Sequence, residues 1–188
     1  MLVFLLVDSQ TVVMHTIHIV AGSPGSGKTT FGKQLAKKIS GIFLDIDTCT
    51  EKIVAASMVL AGLDPNDRDS PTFKNTFRCP IYDSLFAIAA DNIENLDVVI
   101  VGPFTKEVRD SGWLSTLREK FQAPVVVYFI YCSPEIRYQR LISRRNPRDA
   151  SKLIDWRAHC GYYTSSSDSS SDMETIPAFE HVFVNTSL

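Results

Sequence analysis

One stretch of ten residues limits the folds open to this chain more than any other feature. Residues 21–30 read AGSPGSGKTT and follow directly on the run HTIHIV, which is rich in β-branched residues. A packed core does not favour this order, because glycine adds no buried side chain and a lysine is costly to bury. The stretch therefore predicts a strand that ends in a glycine-rich loop and continues into a helix.

The loop fits a phosphate-binding pattern. Gly22, four further residues and then Gly27-Lys28-Thr29 match G-x-x-x-x-G-K-[ST] without a gap. In such a loop the backbone N–H groups surround a phosphate, and the positive end of the following helix dipole faces the same anion. We expect Lys28 to reach the β- and γ-phosphates and the hydroxyl of Thr29 to bind Mg²⁺. The residues predicted to bind the nucleotide are Gly22, Ser23, Pro24, Gly25, Ser26, Gly27, Lys28, Thr29 and Thr30.

Predicted strands alternate with predicted helices along the rest of the chain. The runs 97–102 (DVVIVG) and 124–132 (PVVVYFIYC) are almost continuously apolar, which is typical of parallel strands covered on both faces. This alternation predicts a three-layer α/β domain with a parallel sheet. The five predicted strands span residues 16–21, 42–47, 97–102, 124–132 and 181–185.

Local signals place helices between these strands. Thr48 with Glu51 three residues later matches a capping box, so a helix is predicted from Thr48 to about Leu60. Pro80 suits the first turn of a later helix whose apolar residues share one face. Further helices are predicted over residues 28–40, 110–121 and 134–163, and a flexible serine-rich loop over residues 164–172.

Composition bounds the number of domains and the cellular setting. The chain has 188 residues and a net charge of −2 at pH 7, which predicts one domain with no general attraction to nucleic acid or to an anionic membrane. Residues 14–188 are expected to form this domain. Residues 1–13 begin with an apolar run too short to span a bilayer, and we interpret them as an extension of uncertain role. The four cysteines are far apart, so we expect reduced, mostly buried thiols in a cytoplasmic protein.

Two carboxylates belong to the predicted second strand. The segment FLDIDTCTE, residues 43–51, places Asp45 and Asp47 two residues apart. In an extended strand both side chains point to the same side, roughly 6 to 7 Å apart, at the sheet edge where open α/β folds bind ligands. The segment resembles the D-x-D of shikimate kinase and related small-molecule kinases. The resemblance implies that Asp45 lies near Mg²⁺ and that Asp47 holds the acceptor hydroxyl and takes its proton. On the residues alone, a purely structural role for either carboxylate stays open.

The acceptor side has three weaker candidates. The third strand ends in Gly102-Pro103 rather than in an acidic residue, and shikimate and similar kinases also have a glycine there. We expect Gly102 to let an acceptor approach the backbone closely. Arg78 and Tyr82 lie four residues apart on the predicted middle helix and could bind an anionic or hydroxylated acceptor, with capping and packing as the alternative.

A cluster of arginines follows the fourth strand. Five of them fall within residues 137–148 of an otherwise slightly acidic chain: Arg137, Arg140, Arg144, Arg145 and Arg148. The cluster resembles the lid of nucleoside-monophosphate and related P-loop kinases, where planar guanidinium groups bridge phosphate oxygens. The resemblance implies that Arg144 and Arg148 contact phosphates and that Arg140 also binds the nucleotide. A solvated cationic helix face and a nucleic-acid contact stay open as alternatives.

These segments carry a resemblance that extends over most of residues 16–184. The chain is similar to small P-loop kinases of the AAA-like ATP-binding group in the P-loop NTPase superfamily, and to shikimate, gluconate and chloramphenicol kinases. The resemblance implies the strand order 2-3-1-4-5 and an ATP- and Mg²⁺-dependent transfer of the γ-phosphoryl group to a hydroxyl or phosphate of a small-molecule acceptor. Two alternatives stay open: a polynucleotide 5′-hydroxyl kinase and a non-catalytic ATP-binding regulatory module.

Overall fold

Five parallel strands form one sheet in the order β2-β3-β1-β4-β5, as predicted. The computed structural model describes residues 14–157, 160 and 181–187. Because the strands are parallel, their carboxyl ends meet at one edge of the sheet, where open α/β folds bind ligands. The strands are β1 (Ile17–Ala21), β2 (Ile42–Asp45), β3 (Val98–Val101), β4 (Val125–Tyr131) and β5 (His181–Asn185).

Helices cover both faces of this sheet, which confirms the three-layer α/β architecture. On one face, Ile17 and Ile19 of the central strand pack with Leu85 and Leu117 in the larger apolar cluster. On the other face, Val20 belongs to a smaller cluster with Ala36. The helices are α1 (Lys28–Ile39), α2 (Ile46–Leu60), α3 (Pro71–Asn92), α4 (Trp113–Phe121), α5 (Pro134–Arg144) and α6 (Ala150–Ile154), with short 3₁₀ turns at Glu107–Arg109 and Pro147–Asp149.

The second strand ends earlier than predicted, and the capping-box prediction is wrong. The Asp45 carboxylate accepts hydrogen bonds from the backbone N–H groups of Asp47 (3.0 Å) and Thr48 (3.2 Å), so Asp45 is the N-cap of α2. The helix consequently begins at Ile46, two residues before the predicted cap. Aspartate is as good an N-cap as threonine, and here it also ends the strand.

The middle helix begins earlier than predicted. Ser70 is its N-cap and accepts from the N–H of Phe73 at 3.1 Å, and Pro71 occupies its first position. Pro80, predicted in the first turn, lies inside the helix. Buried side chains lie on either side of Pro80 in the helix, among them Phe73 and Leu85.

Three further predictions need correction, and others fall wholly or partly outside the described residues. The helix predicted over 110–121 begins at Trp113, and the helical region after residue 134 is interrupted at Arg145, whose φ of 48° ends α5. Of the four free cysteines only Cys132 is buried, so the expectation of mostly buried thiols is wrong. The extension over 1–13, the serine-rich loop over 164–172 and the end of the region over 134–163 lie outside the described residues.

Among the helices of the described residues, none combines the length and the apolar character that crossing a membrane would require.

Candidate active site

The glycine-rich loop connects β1 to α1 in a conformation that depends on its glycines. Gly22 has a φ of 142°, and a Cβ there would lie 2.2 Å from the carbonyl oxygen of Ile130. Gly27 has a φ of 96° and is the N-cap of α1. L-residues with side chains rarely adopt these angles, so the pattern of glycines in the sequence fixes the path of the loop.

Lys28 reaches back across the loop from the first turn of α1. Its ammonium donates a hydrogen bond to the carbonyl oxygen of Ser23 at 2.8 Å. Burial lowers the pKa of Lys28 to about 8; the Asp47 carboxylate opposes this shift, and the Arg144 guanidinium adds to it. An anion bound here would stabilise the charged ammonium. The buried hydroxyl of Ser26 has no hydrogen-bond partner among the described residues, which leaves a donor for a ligand in the loop. The loop therefore fits a phosphate chain.

Two oxygen ligands lie side by side where α1 and β2 meet. The hydroxyl of Thr29 donates to Asp45 Oδ2 at 3.0 Å, and Asp45 is only 4% exposed. Mg²⁺ prefers oxygen ligands and usually combines one or two protein groups with phosphate oxygens and water. The pair of Thr29 and Asp45 fits such an ion. Because the Asp45 carboxylate also caps α2, the helix holds it in place.

Asp47 lies near Asp45, but for a different reason from the one predicted. It belongs to the first turn of α2 and not to an extended strand, so the argument from strand geometry is wrong. Its carboxylate accepts from Arg148 Nη1 at 3.0 Å, and Arg148 Nε lies 3.4 Å from Glu51 Oε1. The side chain of Asp47 is 57% exposed, whereas that of Arg148 is 14% exposed. Sequence reasoning used Glu51 only as a cap, although its position one helical turn after Asp47 places both on one side of α2.

Two other arginines of the cluster, Arg144 and Arg137, contact different kinds of group. Arg144 forms a bidentate ion pair with Asp149, whose side chain is 3% exposed; one of the two hydrogen bonds measures 2.6 Å. Arg137 is 1% exposed, donates to the carbonyl oxygen of Pro24 and lies over the ring of Trp156. A solvated cationic face is therefore excluded for Arg137, which instead joins α5 to the loop.

Arg140 also contacts the loop. Its Nη1 lies 3.3 Å from the carbonyl oxygen of Gly25 and 3.0 Å from Thr186 Oγ1, and its Nη2 donates to the Thr186 carbonyl at 2.6 Å. The hydroxyl of Thr186 in turn donates to the carbonyl oxygen of Ser26 at 2.6 Å. The structure thus places Arg140 between the loop and the end of β5, where it supports the loop through main-chain groups.

On the acceptor side, the predicted candidates are already engaged with protein groups. Arg78 forms a bidentate ion pair with Glu107, with hydrogen bonds of 2.8 Å, and lies over the ring of Tyr82. Tyr82 is 9% exposed and packs against the ring of Phe104. A Cβ on Gly102 would lie 2.7 Å from the same ring, so the missing side chain at Gly102 makes room for Phe104. Sequence reasoning missed Glu107, which lies 29 residues from its partner.

A single cavity of about 650 Å³ contains both sides of the site. Its walls come from the loop, the start of α2, the α2–α3 connection, α3 and the arginine-bearing region. Lys28, Thr29, Asp45, Asp47, Arg78, Tyr82, Gly102, Arg140, Arg144 and Arg148 all line it. Such a cavity has room for a phosphate chain and a second small molecule.

The sequence itself assigns this architecture to a family. The family model described as "AAA domain" matches residues 17–159, and the chain belongs to that family. Its fold is that of the P-loop NTPases. No curated protein matches the sequence.

Several solved structures share the fold over nearly the whole chain. A "putative kinase" from Chloroflexus aurantiacus j-10-fl has a TM-score of 0.62 at 19% identity, over 94% of this chain and 90% of that one. A shikimate kinase from Bacteroides thetaiotaomicron has a TM-score of 0.56 at 16% identity, over 92% and 87%. A gluconokinase from Sinorhizobium meliloti 1021 has a TM-score of 0.51 at 16% identity, over 93% and 83%. The chain therefore has a kinase-like P-loop fold.

Proposed function

We propose that this protein is a phosphotransferase that moves the γ-phosphoryl group of ATP to a hydroxyl or phosphate of a small-molecule acceptor. One observation carries the proposal: a phosphate-binding loop, a half-exposed carboxylate at Asp47 and the arginines Arg144 and Arg148 line the same cavity. The same cavity extends to Arg78 and Tyr82 of α3, which gives room for an acceptor beside the nucleotide.

Each side chain has a role that its position supports. Lys28 and the N–H groups of the loop would hold the phosphate chain, and Arg144 and Arg148 would hold the oxygens of the transferring group. Asp47 would orient the acceptor hydroxyl and take its proton. Thr29 and Asp45 would hold Mg²⁺, which neutralises charge on the phosphates when bound. Positioning and charge complementarity supply most of the catalysis in such transfers.

Arg148 is paired with Asp47 in this structure. Asp47 is more than half exposed, and pairs of this kind contribute about 0.2–1 kcal/mol. A phosphate oxygen could therefore replace Asp47 as the partner of Arg148 at a small cost in free energy. The exchange would free the Asp47 carboxylate for the acceptor when the nucleotide binds.

The test is label transfer from γ-labelled ATP with Mg²⁺ into a fractionated cell extract. Lys28→Ala removes the loop ammonium, and Lys37→Ala is a matched control because Lys37 is exposed on the same helix. We expect a labelled small molecule with the native protein and with Lys37→Ala, and none with Lys28→Ala. Label on the end of an added oligonucleotide would instead indicate a polynucleotide kinase. ATP binding without transfer to any acceptor would indicate a regulatory module.

A further inference from the structure

A buried lysine joins two parts of the cavity lining, the arginine-bearing region and the segment between α2 and α3. Lys152 lies on α6 and is 8% exposed. Its ammonium donates to Asp69 Oδ2 at 2.8 Å and to the carbonyl oxygen of Arg148 at 2.9 Å, and it lies 4.0 Å from Asp149 Oδ1. One cationic group thus contacts three acceptors, and two of these belong to the region that bears the arginines.

The third acceptor comes from the segment between α2 and α3. Asp69 lies in the segment 61–70 between α2 and α3, 83 residues from Lys152 in sequence. The hydroxyl of Ser151 donates to the same carboxylate oxygen at 2.9 Å. Burial would raise the pKa of Asp69, but the hydrogen bond from Lys152 and its charge hold that pKa below its ordinary value. We call the pair of Asp69 and Lys152 the latch.

The latch connects directly to both arginines assigned to the phosphates. Lys152 fixes the backbone of Arg148 through its carbonyl oxygen. It also lies beside Asp149, whose carboxylate holds Arg144 in a bidentate pair. The charges alternate along this path: Asp69, Lys152, Asp149, Arg144. Hydrogen-bonded and charged groups in such a network strengthen one another.

We propose that Asp69 and Lys152 are positioning residues that tie the placement of Arg144 and Arg148 to the α2–α3 segment on the acceptor side. The proposal rests on the proposed function for its assignment of these arginines to the ATP phosphates. With the latch formed, the two arginines are held at the phosphate end of the cavity. Without it, the nucleotide must order them when it binds, and binding is weaker for that reason.

The test compares the affinities for a non-hydrolysable ATP analogue and for ADP, measured by calorimetry. Lys152→Met removes the ammonium, Asp69→Asn keeps the shape of its partner, and Lys37→Met is the surface control. We expect Lys152→Met and Asp69→Asn each to weaken the triphosphate about tenfold, the scale of one charged hydrogen bond, with ADP unchanged because the arginines act on the terminal phosphate. The double variant should lose no more than Lys152→Met alone, because that change already removes the pair with Asp69 together with the contacts to Arg148 and Asp149.

Equal weakening of triphosphate and diphosphate, or no change in either, would overturn the proposal, because a merely structural role does not distinguish the terminal phosphate. Additive losses in the double variant would also contradict it. If Lys152→Met does not fold, the two affinities of Asp69→Asn alone test the proposal. Failure of the proposed function is a separate result: the native protein would then transfer no label, while the ratio of the two affinities would still test the latch.

Discussion

The cavity has a donor side, where the loop would hold the nucleotide, and an acceptor side beside α3. The two sides are built in different ways. On the donor side, the backbone determines the geometry: glycines with positive φ shape the loop, and Lys28 donates to the main-chain carbonyl of Ser23. On the acceptor side, the geometry depends on ion pairs between side chains. Their partners are distant in sequence: Arg78 pairs with Glu107, Lys152 with Asp69 and, where the two sides meet, Arg148 with Asp47.

This difference has a mechanical consequence. A loop held by backbone conformation is already formed before a ligand arrives, and its shape does not depend on which acceptor is used. Ion pairs between partly exposed side chains are individually weak and can exchange partners. The donor side is therefore suited to one invariant ligand, whereas the acceptor side is suited to rearrangement when two ligands meet.

The largest effect is expected from Lys28→Ala on the donor side. This change removes the one ammonium that bonds across the loop, and we expect transfer to fall below detection and ATP affinity to fall by about 10- to 100-fold, the scale of a charged hydrogen bond. The thermal unfolding midpoint should not fall, because the buried ammonium is a cost to the folded state. Calorimetry and a thermal melt check both statements, and transfer at the native rate would contradict the role of Lys28.

The variant Asp47→Asn tests the transfer step separately from ATP binding. The amide keeps the size of the carboxylate but cannot accept a proton, so the transfer rate should fall by on the order of 100-fold. ATP affinity should change far less than the transfer rate, because the loop stays intact while Lys28 loses the support of the Asp47 charge and Arg148 loses a competing partner. Steady-state kinetics and calorimetry on one preparation give both numbers. An unchanged transfer rate would remove Asp47 from the mechanism.

The lowered pKa of Lys28 predicts a pH dependence of ATP binding. Phosphate binding favours the charged ammonium, and Lys28 loses its proton as the pH rises through about 8 in the free protein. ATP affinity should therefore fall by about tenfold between about pH 7 and about pH 9, the linkage expected for one group with this pKa. Lys28→Arg should remove this fall in ATP affinity, because a guanidinium stays charged over the whole interval. A native profile that is flat over this interval would contradict the assignment.

The smallest effect is expected from Glu107→Gln on the acceptor side. The change weakens the ion pair with Arg78 but leaves the loop untouched, so ATP affinity should change by less than about twofold. The KM for the acceptor should change instead, once the acceptor has been identified. A large loss of ATP affinity would show that the pair of Arg78 and Glu107 also supports the nucleotide site.

The contrast between the two sides also explains what could be predicted from the sequence. The strands and the loop followed from short contiguous patterns, in which the residues that matter are neighbours in the chain, and the order of the strands followed from the family resemblance that these patterns carry. The start of α2 was mispredicted because Thr48 and Glu51 gave a stronger local signal than the capping by Asp45. The interior position of Pro80 follows from the earlier start of α3, where Ser70 caps the helix and Pro71 occupies its first position.

The partners on the acceptor side could not be predicted from local patterns at all. Glu107, Asp69 and Lys152 carry no motif, and each acquires its role from a residue on another element. Their pairing depends on how the loops and helices pack, and a single sequence without that packing gives no signal for it. The arginine cluster was found because five cations close together are conspicuous, but the roles of its members differ: Arg137 and Arg140 support the loop, while Arg144 and Arg148 are paired with carboxylates.

The most direct test of the central claim, that one cavity unites donor and acceptor, is the fate of the γ-phosphoryl label in a fractionated extract. The native protein should place label on a small molecule at a rate well above its release as free phosphate, and Lys28→Ala should place none. Label that appears only as free phosphate, or transfer that persists in Lys28→Ala, would contradict the account.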